Sequence, residues 1–587
     1  MFKLLKLLKK SQVFLMMCAG VFIGLQVFFD MKIPVYMADL TVLLSNQAIS
    51  GAEKEQMINA MIPGALIVLL LGLCSAICSL LLTQLPITAF IASLRKKVFD
   101  KVQTLSMENI DHLSVASLIT RTTSDMNNLQ LIYANMLLAL VRVPVVSIWA
   151  IIKISQYGSS WVAVFIVSCV LYILLVVFVM KTIRPYMEPQ RGLTDKLSKV
   201  TIQKLGGIDV IRAYNAQAET RGKFCKVNED LTDVLRKSQT PKVYLQPGMI
   251  LAINAMYPCI YFLGSLALNK MPVEAKAFYY SGMTAFTPYA VQLMMAVSMV
   301  VLILIQYPIA HVSATRILEI LDFDPAIKDG AGAKAEETGT VRFDNVSFAF
   351  PGSKECFMRN ISFSCKKGDT VAVIGPTGCG KTTLLNLMLR FVDATEGCVY
   401  VDGKDVREYT LEELRDKISL TQQKAVLFSG TIASNITYGC EEKLNDQAYI
   451  QHAGEVSMSQ EFVDKIPESY GAAVARGGSN FSGGQRQRLS IARTIAKPAE
   501  ILIFDDSFSA LDFKTDRSLR EQLHEQYPDS TKIIVAQRIG TIQDADQILV
   551  MENGRIVGSG THKELLKTCQ TYREIAASQL TEEELSA

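Results

Sequence analysis

Two fold classes run in series along this 587-residue chain. Residues 1–323 form a membrane α-helical domain of six transmembrane helices. After a linker at 324–340, residues 341–580 form an α/β P-loop domain. Three observations predict this. Half of the residues are hydrophobic and the mean hydropathy is +0.25, yet the long apolar runs all fall before about residue 306. Six of those runs reach the about 20 residues that cross a bilayer. Beyond them, a short β-type run leads straight into a glycine-rich loop and then a helical pattern, the context that a phosphate-binding loop requires. The chain is also too long for one compact core.

The six runs lie at roughly 12–36, 61–91, 131–153, 160–182, 244–268 and 277–307. Ahead of the first, Met1–Lys10 alternates lysines with Phe2, Leu4, Leu5 and Leu8, as an interfacial amphipathic helix does. The competing reading, a cleaved signal peptide, meets an apolar stretch that is too long and has no clear cleavage site. Lysine and arginine set the orientation. They crowd the N-terminus, Arg95-Lys96-Lys97 and the stretch from Lys181 to Lys242, while the loops near 37–60, 154–159 and 269–276 are short and nearly balanced. The N-terminus, two long helical extensions (92–130 and 183–243) and the C-terminal domain are therefore expected in the cytoplasm, and the protein in the cell membrane. Ile119–Asp125 and Gly206–Tyr214 are expected at the tips of the extensions.

A net charge of +3 carries no nucleic-acid signal, and no nucleic-acid partner is expected. None of the 12 cysteines falls in an expected outer loop and no Cys-x-x-Cys spacing occurs, so a reduced protein without a cysteine metal site is expected. Cys74 and Cys78 share a helix face and read as packing. Asp30, Lys32 and Arg142 are costly in hydrocarbon and mark a candidate substrate path or gate. Asp30 and Lys32 read equally well as charges near the outer headgroups, and Arg142 as a residue near the inner interface. Met294, Met295 and Met299 offer either an adaptable surface or ordinary packing.

In the second domain, Thr370–Ile374 reads as a strand and runs into Gly375-Pro376-Thr377-Gly378-Cys379-Gly380-Lys381-Thr382-Thr383. Glycines let backbone N–H groups converge on phosphates at a helix N-terminus. Lys381 suits the β/γ oxygens and the Thr382 hydroxyl suits Mg²⁺. Cys379 fills a variable position, where an incidental small residue is the simpler reading than a redox role. Ile501–Phe504 is a second buried-strand pattern, and it ends in the carboxylate of Asp505, a further Mg²⁺ ligand. Between them, Phe481-Ser482-Gly483-Gly484-Gln485 opens a helix and makes a second anion-binding end. A chain with its own phosphate loop has use for another only if it serves a neighbouring subunit.

These residues resemble the ATP-binding cassette transporter family over nearly the whole chain, in the arrangement of an exporter half-transporter. The resemblance identifies Gly375–Thr382 with the Walker A motif, Ile501–Asp505 with Walker B and Phe481–Gln485 with the family signature. It also implies an adenine-stacking role for Phe350, a Mg²⁺ contact for Gln423 and a loop linking two sites at Ser509 and Asp512. The implied ligands are ATP and Mg²⁺. The tips near 110–125 and 206–216 would be coupling helices, and two cassettes would meet head to tail.

Two positions depart from the family. Asp506 stands where Glu usually holds the attacking water, and Gln537 where His usually contacts the γ-phosphate. One missing methylene draws the carboxylate back by about a bond length, and misplacement of about 1 Å costs roughly a hundredfold in rate. The segment Val474–Asn480 also lacks a Glu often found before the signature. The pattern resembles heterodimeric bacterial exporters. Such a chain would supply the weak site, and its partner a competent Glu and His with an altered signature. The alternatives are a homodimer with slow ATPase, an exporter-fold importer and a non-transporting membrane nucleotide sensor. The expected substrates are amphipathic drugs, lipids or peptides, met within the lipid bilayer. No leader-peptidase domain precedes the first span, which lowers the expectation of leader-peptide processing.

Overall fold

A computed structural model describes residues 1–45, 49–156, 159–269, 272–333, 335, 337–353 and 355–581. Parts of the expected outer loops (46–48, 157–158 and 270–271), two linker positions (334 and 336) and the side chain of Phe2 lie outside the described residues. The chain forms two compact units. One holds residues 1–103 and 114–323, and the other holds 104–113 and the chain from Asp324 onward.

The first unit is wholly helical: α1 (Phe2–Leu5), α2 (Lys10–Ser45), α3 (Gly51–Gln103), α4 (Met107–Leu113, counted with the second unit), α5 (Val115–Thr122), α6 (Ser124–Ser155), α7 (Ser159–Gly206), α8 (Ile208–Ala213), α9 (Gln217–Val243), α10 (Leu245–Leu268) and α11 (Val273–Leu321). Among the described residues, six stretches are long and apolar enough to cross a membrane: α2, α3, α5–α6, α7, α9–α10 and α11. The apolar window within each carries hydrophobic residues on both its exposed and its buried faces, as a lipid solvent requires. On α3, Leu66, Leu70 and Leu81 are exposed, while Gly72, Ser75, Ser79 and Thr83 are buried. Those small residues at three- and four-residue spacing let α2 approach closely. A Cβ on Gly72 would stand 3.4 Å from Phe29 Cβ, and Ser79 Oγ donates to Gln26 Oε1 at 3.0 Å. Trp161, buried at the start of the fourth span, meets Tyr279 and Phe286 of α11 edge-on, and Tyr289 donates its hydroxyl to the Met31 carbonyl at 3.2 Å.

The helices outrun the apolar patterns because polar contacts hold their ends. Arg121 pairs with Glu319 at 2.7 Å, and Ser313 donates to Asp125 at 2.6 Å. This corrects one expectation. Ile119–Asp125 is not a tip: the chain reverses upstream, at 104–114, and Arg121 and Asp125 are buried against α11. The other expected tip does contain a short helix, α8, none of whose residues is buried.

Among the described residues the second unit builds on two large sheets and a two-stranded antiparallel pair. The strands are β1 (Val341–Phe348), β2 (Met358–Cys365), β3 (Thr370–Ile374), β4 (Glu396–Val401), β5 (Lys404–Asp405), β6 (Ile418–Thr421), β7 (Gly430–Thr431), β8 (Ala473–Val474), β9 (Ile501–Asp505), β10 (Thr531–Val535), β11 (Gln547–Glu552) and β12 (Arg555–Gly560). The pair is β7-β8, an antiparallel sheet runs β2-β1-β4-β5, and a six-stranded sheet runs β12-β11-β3-β10-β9-β6. In the latter β3, β10, β9, β6 and β11 are parallel, and Val535 lies in register with both Val373 and Asp505. The carboxyl ends of β3, β9 and β10 therefore emerge side by side, where open α/β sheets bind ligands. The helices are α12 (Lys381–Met388), α13 (Leu411–Asp416), α14 (Ile432–Ile436), α15 (Gln447–Val456), α16 (Gln460–Val463), α17 (Gly483–Ala496), α18 (Phe513–Gln526), α19 (Ile539–Ile542), α20 (His562–Thr568) and α21 (Gln570–Ala577). Residues of α14–α17 share a separate apolar cluster with Phe481.

Candidate functional site

The loop between β3 and α12 is shaped by its glycines. A Cβ on Gly375 would stand 2.1 Å from the Met551 carbonyl oxygen, and Gly380 has φ +111°, where a side chain is strained. Pro376, Thr377 and Gly378 are exposed at the crest and Cys379 is buried beneath it. Lys381 folds back over the loop, donating to the carbonyls of Gly375 at 2.8 Å and Pro376 at 3.0 Å, with its Nζ 3.8 Å from Cys379 Sγ. Thr382 and Thr383 occupy the first turn of α12.

Thr382 Oγ1 donates to Asp505 Oδ2 at 3.1 Å, which brings the end of β9 against the start of α12. The side chain of Gln423 reaches the neighbouring Asp506 carboxylate, while the Thr382 and Asp505 oxygens are hard donors that fit Mg²⁺. Bound there, the cation would neutralise phosphate charge. Burial raises the Asp505 carboxyl above its usual pKa, the neighbouring Asp506 charge adds to this, and the Thr382 hydrogen bond opposes it.

Asp506 sits one residue past the strand with φ +47°, held by its N–H to the Val535 carbonyl at 2.9 Å. Its carboxylate is buried, and one oxygen takes two amide donors: Gln537 Nε2 at 2.8 Å and Gln423 Nε2 at 3.3 Å. Both glutamines are exposed and Asp506 is 8% exposed, so the amides cover the carboxylate. Imidazole at 537 would add a titratable charge that the amide lacks.

Phe350 is exposed, with its ring 5.1 Å from Phe348 and 5.0 Å from Phe357, and forms a platform for a flat ring. The signature segment is ordered by a capping box: Ser482 Oγ accepts from Gln485 N–H at 3.3 Å, and Gln485 Oε1 accepts from Ser482 N–H at 2.9 Å. Phe481 anchors it in the core, while a Cβ on Gly483 would meet nothing within 4 Å. No hydrogen bond joins this segment to the phosphate loop among the described residues. Asp512 caps α18 through Thr515, which holds its carboxyl below the usual range, and Ser509 Oγ donates to the Asp506 carbonyl at 2.9 Å.

In the membrane unit, Asp30 and Arg142 stand 3.8 Å apart, so they belong to one pair. Arg142 lies 13 residues before the α6 end at Ser155, about 20 Å at helical rise. Lys32 instead lies over the Phe28 ring at 5.4 Å. Met294 is buried, with Cys169 Sγ 3.8 Å from its sulfur, Met295 is exposed and Met299 half-buried. Sequence reasoning missed Gln579, whose side chain holds the backbone on both sides of Arg538. It lies 42 residues past Gln537, outside any motif.

Residues 358–509 match the family described as ABC transporter, and residues 16–297 match the ABC transporter transmembrane region. An ABC transporter ATP-binding protein of Mycobacterium tuberculosis is 34% identical over 490 residues, 83% of each chain. The chain belongs to the ABC transporter family. An ATP-dependent lipid A-core flippase of Haemophilus influenzae is 29% identical over 499 residues, 84% of this chain and 83% of that one. A bacterial Atm1-family ABC exporter, solved with ATP bound, superposes with a TM-score of 0.83 over 98% of this chain and 100% of its own, at 22% identity. The fold is that of an ABC exporter: six membrane helices followed by an ABC ATPase domain. Members couple ATP binding to transport and work as dimers in a membrane.

Proposed function

We propose that this chain is the weak-site subunit of a heterodimeric ABC exporter. The observation that carries the reading is the Asp506 carboxylate, shortened by one methylene and covered by the amides of Gln423 and Gln537. A general base needs its oxygen within hydrogen-bond reach of the water it orients. Here the oxygen already accepts from two side chains. The groups suited to holding nucleotide remain: Gly375–Thr383 for the phosphates, Thr382, Asp505 and Gln423 for Mg²⁺, and Phe350 for the adenine.

The competent site would combine this chain's Phe481–Gln485 with the partner's phosphate loop, Glu and His, and Ser509 and Asp512 would link the two sites. The exposed second tip supports a partner chain: Leu205, Val210 and Tyr214 are 67%, 61% and 80% exposed around α8. Such an apolar tip suits docking on another subunit's nucleotide domain. The basic N-terminus and extensions support a cytoplasmic nucleotide domain in the cell membrane, and the lipid flippase relative supports amphipathic, lipid-like cargo. The Asp30–Arg142 pair is a candidate gate on its path.

The test restores the usual residues. In the partnered complex, Asp506→Glu with Gln537→His should raise ATP turnover at this site tenfold or more, towards the roughly hundredfold that about 1 Å of misplacement costs. Unchanged site-specific turnover would sink the reading. So would full turnover and transport by this chain purified as a homodimer.

A further inference from the structure

Gln537 is held from behind. Its backbone carbonyl accepts from Gln579 Nε2 at 2.8 Å, and the N–H of Ile539, two residues on, donates to Gln579 Oε1 at 2.9 Å. One amide side chain thus brackets the loop that carries Gln537. The Ile539 N–H, at the start of α19, has no intrahelical acceptor and the helix N-cap, Arg538, supplies none from its side chain, so Gln579 satisfies it. On its other side the loop is tied to the sheet by Ala536 N–H to the Val373 carbonyl at 3.2 Å.

The bracket has a fixed base. Gln579 follows α21, whose Tyr572 and Ala576 are fully buried in the core that also takes Ala536, Ile539 and Ile542. Tyr572 is further tied to His562 at 2.6 Å. Residues 536–539 are therefore clamped between the sheet and the C-terminal helix, with the Gln537 side chain directed to Asp506 Oδ2 at 2.8 Å.

We infer that Gln579 is a positioning residue for the hydrolytic corner of the nucleotide site, setting where the side chain at 537 meets Asp506. This rests on the reading of Asp506 and Gln537 as the weak hydrolytic positions. Gln579 is exposed, so its removal leaves no cavity in the core.

The experiment uses the full chain with its partner and three substitutions. Gln579→Ala removes both arms of the bracket, Gln579→Met removes them while keeping the length, and Gln579→Glu keeps only the acceptor for Ile539. Hydrogen exchange at the Ile539 amide should speed up about threefold to tenfold in the Ala and Met variants, and less in Glu, as loss of one hydrogen bond implies. In the Asp506→Glu, Gln537→His background, kcat should fall about threefold or more in the Ala and Met variants, with the KM for ATP and the Tm unchanged. Unchanged exchange at Ile539 would overturn the inference. So would faster exchange with kcat intact, which leaves Gln579 a mere helix cap, or a kcat loss accompanied by a raised KM and lowered Tm. If the restored background gains no turnover, the weak-site reading fails, and exchange at Ile539 alone decides the bracket.

Discussion

The signature segment and the Asp506 corner lie in one domain but have different fates. Ser482 and Gln485 cap each other, Phe481 is anchored, and the helix opens outward with the residue pattern of its family intact. At the other corner the frame is equally ordered, with β9 and β10 in register and Thr382 on Asp505, yet the two side chains that would act on water are altered. On the proposed weak-site reading, the substitutions at 506 and 537 fall on groups that act after nucleotide is bound. That reading makes binding and hydrolysis separable within one ATP site, the first resting on loop backbone and a lysine and the second on the reach of one carboxylate.

The comparison breaks first at the signature. Gly484→Asp places a carboxylate at the start of α17, where the helix favours an anion, so ATP turnover of the partnered complex should fall about a hundredfold. Lys381→Ala in this chain should cost the same complex less than about threefold. Equal losses would erase the asymmetry. The single substitutions Asp506→Glu and Gln537→His sharpen it: each alone should give a smaller gain than the pair, because the residues share a hydrogen bond and couple.

A smaller effect is expected at Phe350. Its replacement by Ala should weaken ATP binding about tenfold, at the scale of one aromatic–base stack, without changing turnover at saturating ATP. The smallest concerns pH. Because burial and the Asp506 charge raise the Asp505 carboxyl, protons compete with Mg²⁺ at a higher pH than for an ordinary carboxylate. Mg²⁺-dependent nucleotide retention should therefore decline as pH falls while free carboxylates are still ionised. Asp506→Asn removes a like charge and should move the decline to lower pH.

The fold was legible for a physical reason: helices in lipid must be apolar all round, so six runs announce themselves. Their ends were not. The sixth run reads to about 307, but α11 continues to Leu321, held by Arg121–Glu319 and Ser313–Asp125 contacts that carry no apolar signal. For the same reason Ile119–Asp125 reads as a tip in sequence, although its Arg121 and Asp125 are buried against α11. The small-residue face of α3 was visible only once its partner was known. At the nucleotide site, the phosphate loop is contiguous and its glycines are irreplaceable, so it could be read directly. The covering of Asp506 by Gln423 and Gln537 needed three-dimensional neighbours 83 and 31 residues away, and Gln579 had no motif to flag it.

Lys381, bent over the carbonyls of its own loop, bears on how nucleotide arrives and leaves. Its ammonium is already engaged, so incoming phosphates compete with Gly375 and Pro376 for it. Affinity then reflects an exchange of acceptors, neutral oxygens for anionic ones. Departure of the nucleotide hands the charge back to the loop, so the site is left electrostatically composed for the next cycle.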